Sequence, residues 1–209
     1  MIPVQIKAVH YIPNASQELC DGLGVPHGSP SLALLTTDSD DATYIALDEA
    51  TKAAEVTVRY ARSFYAGAAN ASTPNAGEVI GILSAATPGA VRSGMEAALA
   101  ALHRIGFEEI HGVPYLAHTI SSCGSFLAAE ANVPVGAALA YLIAPPIESM
   151  VGLDAALKAS DVKLCKLYAP PSETNFGGGL LTGTQSACAA ACEAFHRKVE
   201  EVAARPVEG

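Results

Sequence analysis

The chain carries one sequence pattern twice. Residues 31–58 read SLALLTTDSDDATYIALDEATKAAEVTV, and residues 138–164 read ALAYLIAPPIESMVGLDAALKASDVKL. Each copy begins with a short apolar run, continues with apolar residues at helical spacing, and ends in a second short run rich in Val or Leu. Short apolar runs of this kind are typical of buried strands, and the spacing indicates a helix with one buried face. The pattern predicts a strand, a helix and a strand in each copy.

The similarity extends over most of the chain when its two halves are compared. The aligned pairs include His10 with His118, Leu19 with Leu127, Leu34 with Leu142 and Asp40 with Glu148 at an offset of 108 residues, Asp48 with Asp154 at 106, and Thr87 with Thr184 at 97. This ordered set needs only two changes of offset, so it favours an internal duplication over chance. The duplication predicts two domains, at residues 1–110 and 111–209.

The two halves are predicted to contain the same elements in the same order. The strands are Val4–Ile12, Ser31–Thr37, Val56–Phe64 and Glu78–Leu83 in the first half, and Tyr115–Ile120, Ala138–Ala144, Val162–Tyr168 and Gly179–Thr182 in the second. After a short helix behind the first strand, the main helices are Tyr44–Ala54 and Ala90–His103, then Val151–Ser160 and Ala187–Ala203. Because strands and helices do not strictly alternate, we expect an α+β fold, with helices beside a mostly antiparallel sheet.

The composition narrows the classes of partner. The chain has 209 residues, a net charge of −9 and no Lys/Arg-rich run, which argues against nucleic acid and against an anionic membrane surface. No apolar run approaches the roughly 18–20 residues of a membrane span, and the N-terminus does not resemble a signal peptide, so we expect a cytoplasmic protein. Only 16% of residues are charged, which favours an assembling protein because interface cores are depleted of charge.

The cysteines fit the same compartment. The chain has five of them, an odd number, and lacks a secretory signal. Free thiols in a reducing environment are therefore expected.

The acidic run Asp38–Asp41 is a first candidate for chemistry. Carboxylate oxygens are ligands that Mg²⁺ prefers, so a metal-dependent enzyme is one hypothesis. The structural alternative is a solvated turn, in which aspartates cap the following helix. The sequence offers no partner motif for the enzyme hypothesis.

Three further features have structural explanations beside their functional ones. Cys188, Cys192 and His196 share a helix face, which suits a zinc site or simple packing. The run NFGGGLLTGTQS at residues 175–186 suits an anion site at a helix start, or a tight turn followed by a cap. His10 and His118 occupy equivalent strand positions, which favours a structural role.

Two long loops follow the same strand in each half. They are Tyr65–Gly77 and Ala169–Gly179, and both are rich in small and polar residues. Loops of more than about ten residues in a compact domain are often functional. Mobile surface loops are the structural alternative.

Several long stretches resemble a known family. They are DSDDATYIALDEATK, NAGEVIGIL, YLIAPPIESMVGLDAALKASDVKL, PPSETNF and LTGTQSACAAAC. In these the chain resembles the L-type shell proteins of ethanolamine-utilisation bacterial microcompartments. The resemblance implies two tandem, circularly permuted microcompartment domains and a structural protein rather than an enzyme. It also implies a pseudo-hexagonal homotrimer that tiles the shell beside other shell proteins.

The resemblance further implies gated pores for small molecules. It assigns the lining of a small pore that takes ethanolamine to Asp40, Glu78, Phe107, Thr174 and Phe176. It assigns the loops of a central pore to Tyr65, Ala66, Gly67, Asn70, Asn75, Glu173, Asn175, Gly177 and Gly178. No cofactor is required and no residue is assigned to a metal; ethanolamine or cobalamin is a possible bound ligand. A corrinoid or other small-molecule binding module remains the alternative, followed by the metal-dependent enzyme.

Overall fold

The computed structural model describes residues 1–64, 77–170 and 175–207. Their contacts divide the chain into two compact units. The N-terminal unit comprises residues 3–106 together with 124–127, and the C-terminal unit comprises residues 1–2, 107–123 and 128 onward. The domain boundary placed between residues 110 and 111 stays a prediction.

The N-terminal unit is a four-stranded antiparallel sheet with helices. Its strands lie in the order β1-β2-β4-β3, and α2 and α3 pack against each other and against the sheet. Its elements are β1 (Ile6–Ile12), α1 (Gln17–Gly22), β2 (Ser31–Thr37), α2 (Asp40–Ala53), β3 (Thr57–Ser63), β4 (Val79–Ala85) and α3 (Pro88–Leu102).

The C-terminal unit repeats this arrangement and adds a strand. Its order is β5-β6-β7-β9-β8, and α5 and α6 pack against the sheet. Its elements are β5 (Glu108–Ile110), β6 (Val113–Ile120), α4 (Ser125–Ala131), β7 (Ala138–Ala144), α5 (Pro146–Ala159), β8 (Val162–Tyr168), β9 (Gly177–Gly183) and α6 (Gln185–Ala204). The first three residues of α4 belong to the N-terminal unit by their contacts. The expectation of an α+β fold with mostly antiparallel sheets is confirmed.

The apolar run at 138–144 forms the central strand of its sheet. All seven residues of β7 are buried, as expected for a strand with neighbours on both edges and covered faces. Helices α5 and α6, which pack against this sheet, approach each other closely because Gly152 has no side chain. A Cβ there would lie 2.8 Å from the ring of Phe195, which is fully buried. Large and small residues therefore interdigitate in this core.

The duplication is visible in matching local geometry. Helices α2 and α5 both have 14 residues and begin 106 residues apart. Thr87 and Thr184 both precede a helix, and the side chain of each accepts a hydrogen bond from the N–H three residues on. Gly28 and Gly136 both adopt a positive φ, of 87° and 90°. The predicted internal repeat is thus present in the fold.

Strand and helix register corrects two of the aligned pairs. His10 lies opposite Leu34, whereas His118 lies opposite Tyr141, so Tyr141 and not Leu142 is the counterpart of Leu34. The offset has already fallen by one residue between the glycine turn and the second strand. The carboxylate pair Asp40 and Glu148 is also wrong, because the start of α2 corresponds to the start of α5 at Pro146.

Several predicted boundaries are wrong by a few residues. Helix α2 begins at Asp40 rather than Tyr44, and α5 at Pro146 rather than Val151. Acidic residues and proline are favourable in a first helical turn, and the apolar periodicity does not register them. The strand β5 was not predicted. No helix among the described residues is long and apolar enough to cross a bilayer.

Candidate functional site

Strand pairing brings the acidic residues of the N-terminal unit together. The end of β2 pairs with the start of β4, with Thr37 opposite Val79. The pairing continues one residue further, because the Glu78 N–H donates to the Thr37 carbonyl oxygen at 2.6 Å. Asp38 follows β2 directly and Asp40 opens α2, so these carboxylates and that of Glu78 lie at the same end of the sheet.

The neighbouring carboxylates affect the pKa of Glu78. Its pKa is raised above the ordinary 4.5, first by partial burial and then by the negative charges of Asp40 and Asp38. The Lys7 ammonium acts in the opposite direction. A carboxylate held among others in this way favours a cation nearby, because a positive charge relieves the repulsion.

Backbone N–H groups donate hydrogen bonds to the carboxylates of Asp38 and Asp40. Asp38 Oδ1 accepts the N–H of Gln5 at 2.7 Å, and Asp40 Oδ1 accepts the N–H of Asp41 at 2.9 Å. Both Asp40 and Asp41 are buried, so the predicted solvated turn is wrong here. Ser39 is the residue that precedes α2, and its side chain makes no capping bond. The aspartates instead place negative charge in the first helical turn, where the helix dipole favours it.

The aromatic candidates meet in the C-terminal unit. The rings of Phe107 and Phe176 stack with their centroids 5.8 Å apart and an interplanar angle of 29°. The Phe107 carbonyl oxygen accepts the N–H of Ile2 at 2.5 Å. The predicted small-pore lining therefore consists of one pair of side chains in each unit, while Thr174 lies outside the described residues.

The residues predicted for central-pore loops fall into two groups. Asn175 lies in the described chain with a positive φ of 66°, but Gly177 and Gly178 belong to β9 and not to a loop. Gly178 is required by the sheet, because a Cβ there would lie 1.9 Å from the Leu142 carbonyl oxygen. The other predicted loop residues lie outside the described ranges, namely Tyr65, Ala66, Gly67, Asn70, Asn75 and Glu173.

The cysteine and histidine set on α6 has separate partners within the protein. His196 Nδ1 is hydrogen-bonded to the Tyr115 hydroxyl at 2.7 Å, and Cys192 Sγ accepts from the Thr119 hydroxyl at 3.3 Å. Cys188 is buried. Burial raises the pKa of Cys192 to about 11. Within the described chain, no group of three or more His, Cys, Asp or Glu side chains is arranged to hold a metal ion.

The remaining candidates are Thr184 and the two histidines, whose expected structural role stays a prediction. Thr184, at the end of the run 175–186, caps α6 by accepting the N–H of Ala187 at 3.1 Å. The capping role is confirmed, but the expected tight turn is wrong, because Gly177–Gly183 form β9. His10 lies on β1 and His118 on β6, at equivalent places in their sheets.

Sequence reasoning missed the role of Asp48. This residue is buried on α2, and its two carboxylate oxygens accept the N–H groups of Gly124 at 2.6 Å and Leu127 at 2.8 Å. Burial raises its pKa above 3.8, while the two hydrogen bonds lower it in part. The only signal in the sequence was its alignment with Asp154, and that pair differs in burial.

Known proteins are similar to this chain along nearly its whole length. The BMC domain family matches residues 31–114. The chain is 53% identical to the bacterial microcompartment shell protein EutL of Clostridium perfringens, over 99% of this chain and 97% of that protein. It is 43% identical to EutL of Escherichia coli, over 100% and 97%. The crystal structure of ethanolamine utilization protein EutL from Leptotrichia buccalis matches with a TM-score of 0.95 at 52% identity, covering 100% of this chain and 98% of that one.

Identity of this level over the whole length, together with a superimposable fold, is decisive. The resemblance noted in the sequence is confirmed, and it covers both units rather than one. The chain belongs to the EutL family of bacterial microcompartment shell proteins.

Proposed function

We propose that this chain is a structural tile in the shell of an ethanolamine-utilisation microcompartment, and that it passes small molecules rather than transforming them. The observation that carries the proposal is its likeness to EutL shell proteins along the whole chain. The relatives are named for a shell and not for a reaction. The low content of charged residues and the exposed large apolar side chains are in keeping with a protein that assembles.

The assembly proposed is a homotrimer placed beside other shell proteins. A chain that carries two copies of one unit fills six equivalent positions with three molecules, which produces a pseudo-hexagonal tile. Sedimentation of the purified chain is expected to give three times the monomer mass, and electron micrographs are expected to show hexagonal sheets. A stable monomer at all concentrations would remove this proposal.

The ligand proposed for the small pore is ethanolamine. Its ammonium group suits the carboxylates of Asp40 and Glu78, and the raised pKa of Glu78 supports a place where positive charge is favourable. The paired rings of Phe107 and Phe176 supply an aromatic surface, which attracts cations through the ring faces. Cobalamin stays a second candidate ligand on the family resemblance alone.

Calorimetric titration with ethanolamine tests the ligand. Glu78→Gln is expected to weaken binding at least about tenfold, because it removes one of the charges that attracts the ammonium. Glu55→Gln changes an exposed carboxylate outside the cluster and serves as the matched control. Equal affinities for the wild type and Glu78→Gln would contradict the assignment.

The same titration has an expected pH dependence. The ammonium of ethanolamine stays protonated across the acidic range, so only the carboxylates titrate. Because the folded pKa of Glu78 lies above 4.5, affinity is expected to fall as the pH drops through that raised value. In Glu78→Gln the fall at the raised pKa of Glu78 is expected to disappear.

A further inference from the structure

We infer that a second copy of this chain covers the outer face of α5 with the segment Ser16–Leu19, at the start of its own α1. The inference rests on the homotrimer proposed above and specifies two surfaces that meet within it. Both surfaces are identified by comparing the two internal copies of the fold.

The contact is already made once, inside the N-terminal unit. There the segment 124–127 lies on the outer face of α2. The buried carboxylate of Asp48 accepts the N–H groups of Gly124 and Leu127, at 2.6 and 2.8 Å. The rings of Tyr44 and Phe126 lie against each other with centroids 6.1 Å apart. This face of α2 is thus covered by backbone and side chains together.

Among the residues that the structure describes, nothing comparable covers the equivalent face of α5. Ile147 is 64% exposed where its counterpart Asp41 is 7% exposed, and Val151 is 36% exposed where Ile45 is fully buried. The counterpart of the buried Asp48 carboxylate is the exposed Asp154. These positions are spaced four and three residues apart, so they lie on one side of the helix. The two copies of the helix thus differ in burial along the side that carries Asp48, the residue that the segment 124–127 binds on α2.

The repeat also identifies what covers that face. Helix α1 begins 108 residues before α4, so Ser16–Leu19 is the counterpart of 124–127. Leu127 is 1% exposed, whereas Leu19 is 42% exposed. The second contact therefore has both of its surfaces present, one on α5 and one on α1, and the described part of the chain leaves both exposed. Two different surfaces that fit each other join copies head to tail, and such contacts close into rings.

In the second contact, the backbone of the segment is expected to lie farther from the helix than in the first. A Cβ on Gly124 would lie 2.2 Å from the Thr51 hydroxyl oxygen and 2.6 Å from the Asp48 carbonyl oxygen, so the segment reaches α2 only because residue 124 is glycine. Ser16 takes that position in α1 and keeps the backbone farther away. Ile147, at the place of a carboxylate on α2, supplies apolar area to fill the gap.

Photo-cross-linking of the full-length chain tests the inference. p-Benzoylphenylalanine replaces Val151, and ¹⁵N-labelled and unlabelled chains are mixed before irradiation. Cross-linked peptides that join residue 151 to residues 16–22 are expected, and many of them should combine one labelled and one unlabelled chain. The matched control places the same group at Ala159, which is exposed on α5 like its counterpart Ala53 on α2; few such peptides are expected from it.

The outcomes separate this inference from the proposed function. If the chains form trimers but the cross-links from residue 151 map to another segment, the inference is overturned while the shell tile stands. If the chains stay monomeric, both the inference and the proposed shell tile are contradicted. Mixed-label cross-links to residues 16–22 support both.

A second measurement uses exposed positions that leave the fold intact. The double variant Ile147→Gln, Val151→Gln is expected to raise the concentration of half-assembly in sedimentation by about tenfold or more, because it removes apolar area from the contact. Ala159→Gln should change it less than about twofold. An unchanged assembly of the double variant would contradict the inference.

Discussion

The substitution Asp48→Asn removes the charge of a buried carboxylate whose counterpart in the second copy, Asp154, is exposed in the chain. Both oxygens of Asp48 accept backbone N–H groups, from Gly124 at 2.6 Å and from Leu127 at 2.8 Å. Asparagine has nearly the same shape, so no cavity is created. It offers one acceptor oxygen in place of two, and its NH₂ group faces a second donor.

The expected loss follows from that count of acceptors. A buried N–H without an acceptor costs about 1–3 kcal/mol, and hydrogen bonds to a charged acceptor lie toward the upper end. Relief of carboxylate burial, which raises the pKa of Asp48, offsets part of this cost. We expect the free energy of unfolding to fall by about 2 kcal/mol. Glu193→Gln on α6 is the matched control: it weakens an exposed ion pair with Arg197 and should cost less than about 0.5 kcal/mol.

Urea denaturation at pH 7, followed by circular dichroism, measures both variants. All proteins are compared at one concentration, because association stabilises the folded chain by mass action. For a chain of this size the thermal midpoint of Asp48→Asn should drop by about 4–8 °C. Hydrogen exchange should accelerate at the amides of Gly124 and Leu127. Equal losses in the two variants, or unchanged exchange at both amides, would refute the reasoning.

Two further predictions test the core of the C-terminal unit. Gly178→Ala should lower the free energy of unfolding by more than about 2 kcal/mol, because its Cβ would lie 1.9 Å from a backbone carbonyl oxygen and its φ is 155°. The control is Gly89→Ala, where no heavy atom lies nearer than 4.0 Å to the added Cβ. In the same urea titration it should be neutral or slightly stabilising. At pH 8, mass spectrometry should show iodoacetamide labelling Cys165 at least about tenfold faster than Cys192. The thiolate is the reactive form, and although burial raises the pKa of both thiols, Cys192 is the less accessible and its pKa is raised to about 11. Similar rates would contradict the buried environment of Cys192.

The carboxylate cluster shows how far sequence reasoning reached into the candidate site. Asp40 and Glu78 were selected through family resemblance and charge, and the chain places both at one end of the N-terminal sheet. The burial of Asp40 was not predictable, because burial depends on which residues from distant sequence pack around a side chain. The same limit explains Gly177 and Gly178, which composition assigned to a loop and strand pairing assigns to β9.

The sequence by itself determined the repeat, the α+β class and the family. These depend on local periodicity and on residue-by-residue matching, and both can be read from the sequence alone. Only the tertiary structure decided which copy of each repeated position is covered. Asp48 and Asp154 are the same residue in the same place on equivalent helices, yet one is buried under Gly124 and Leu127 and the other is exposed. Burial depends on what packs against a helix from distant sequence, and no pattern within the helix records it.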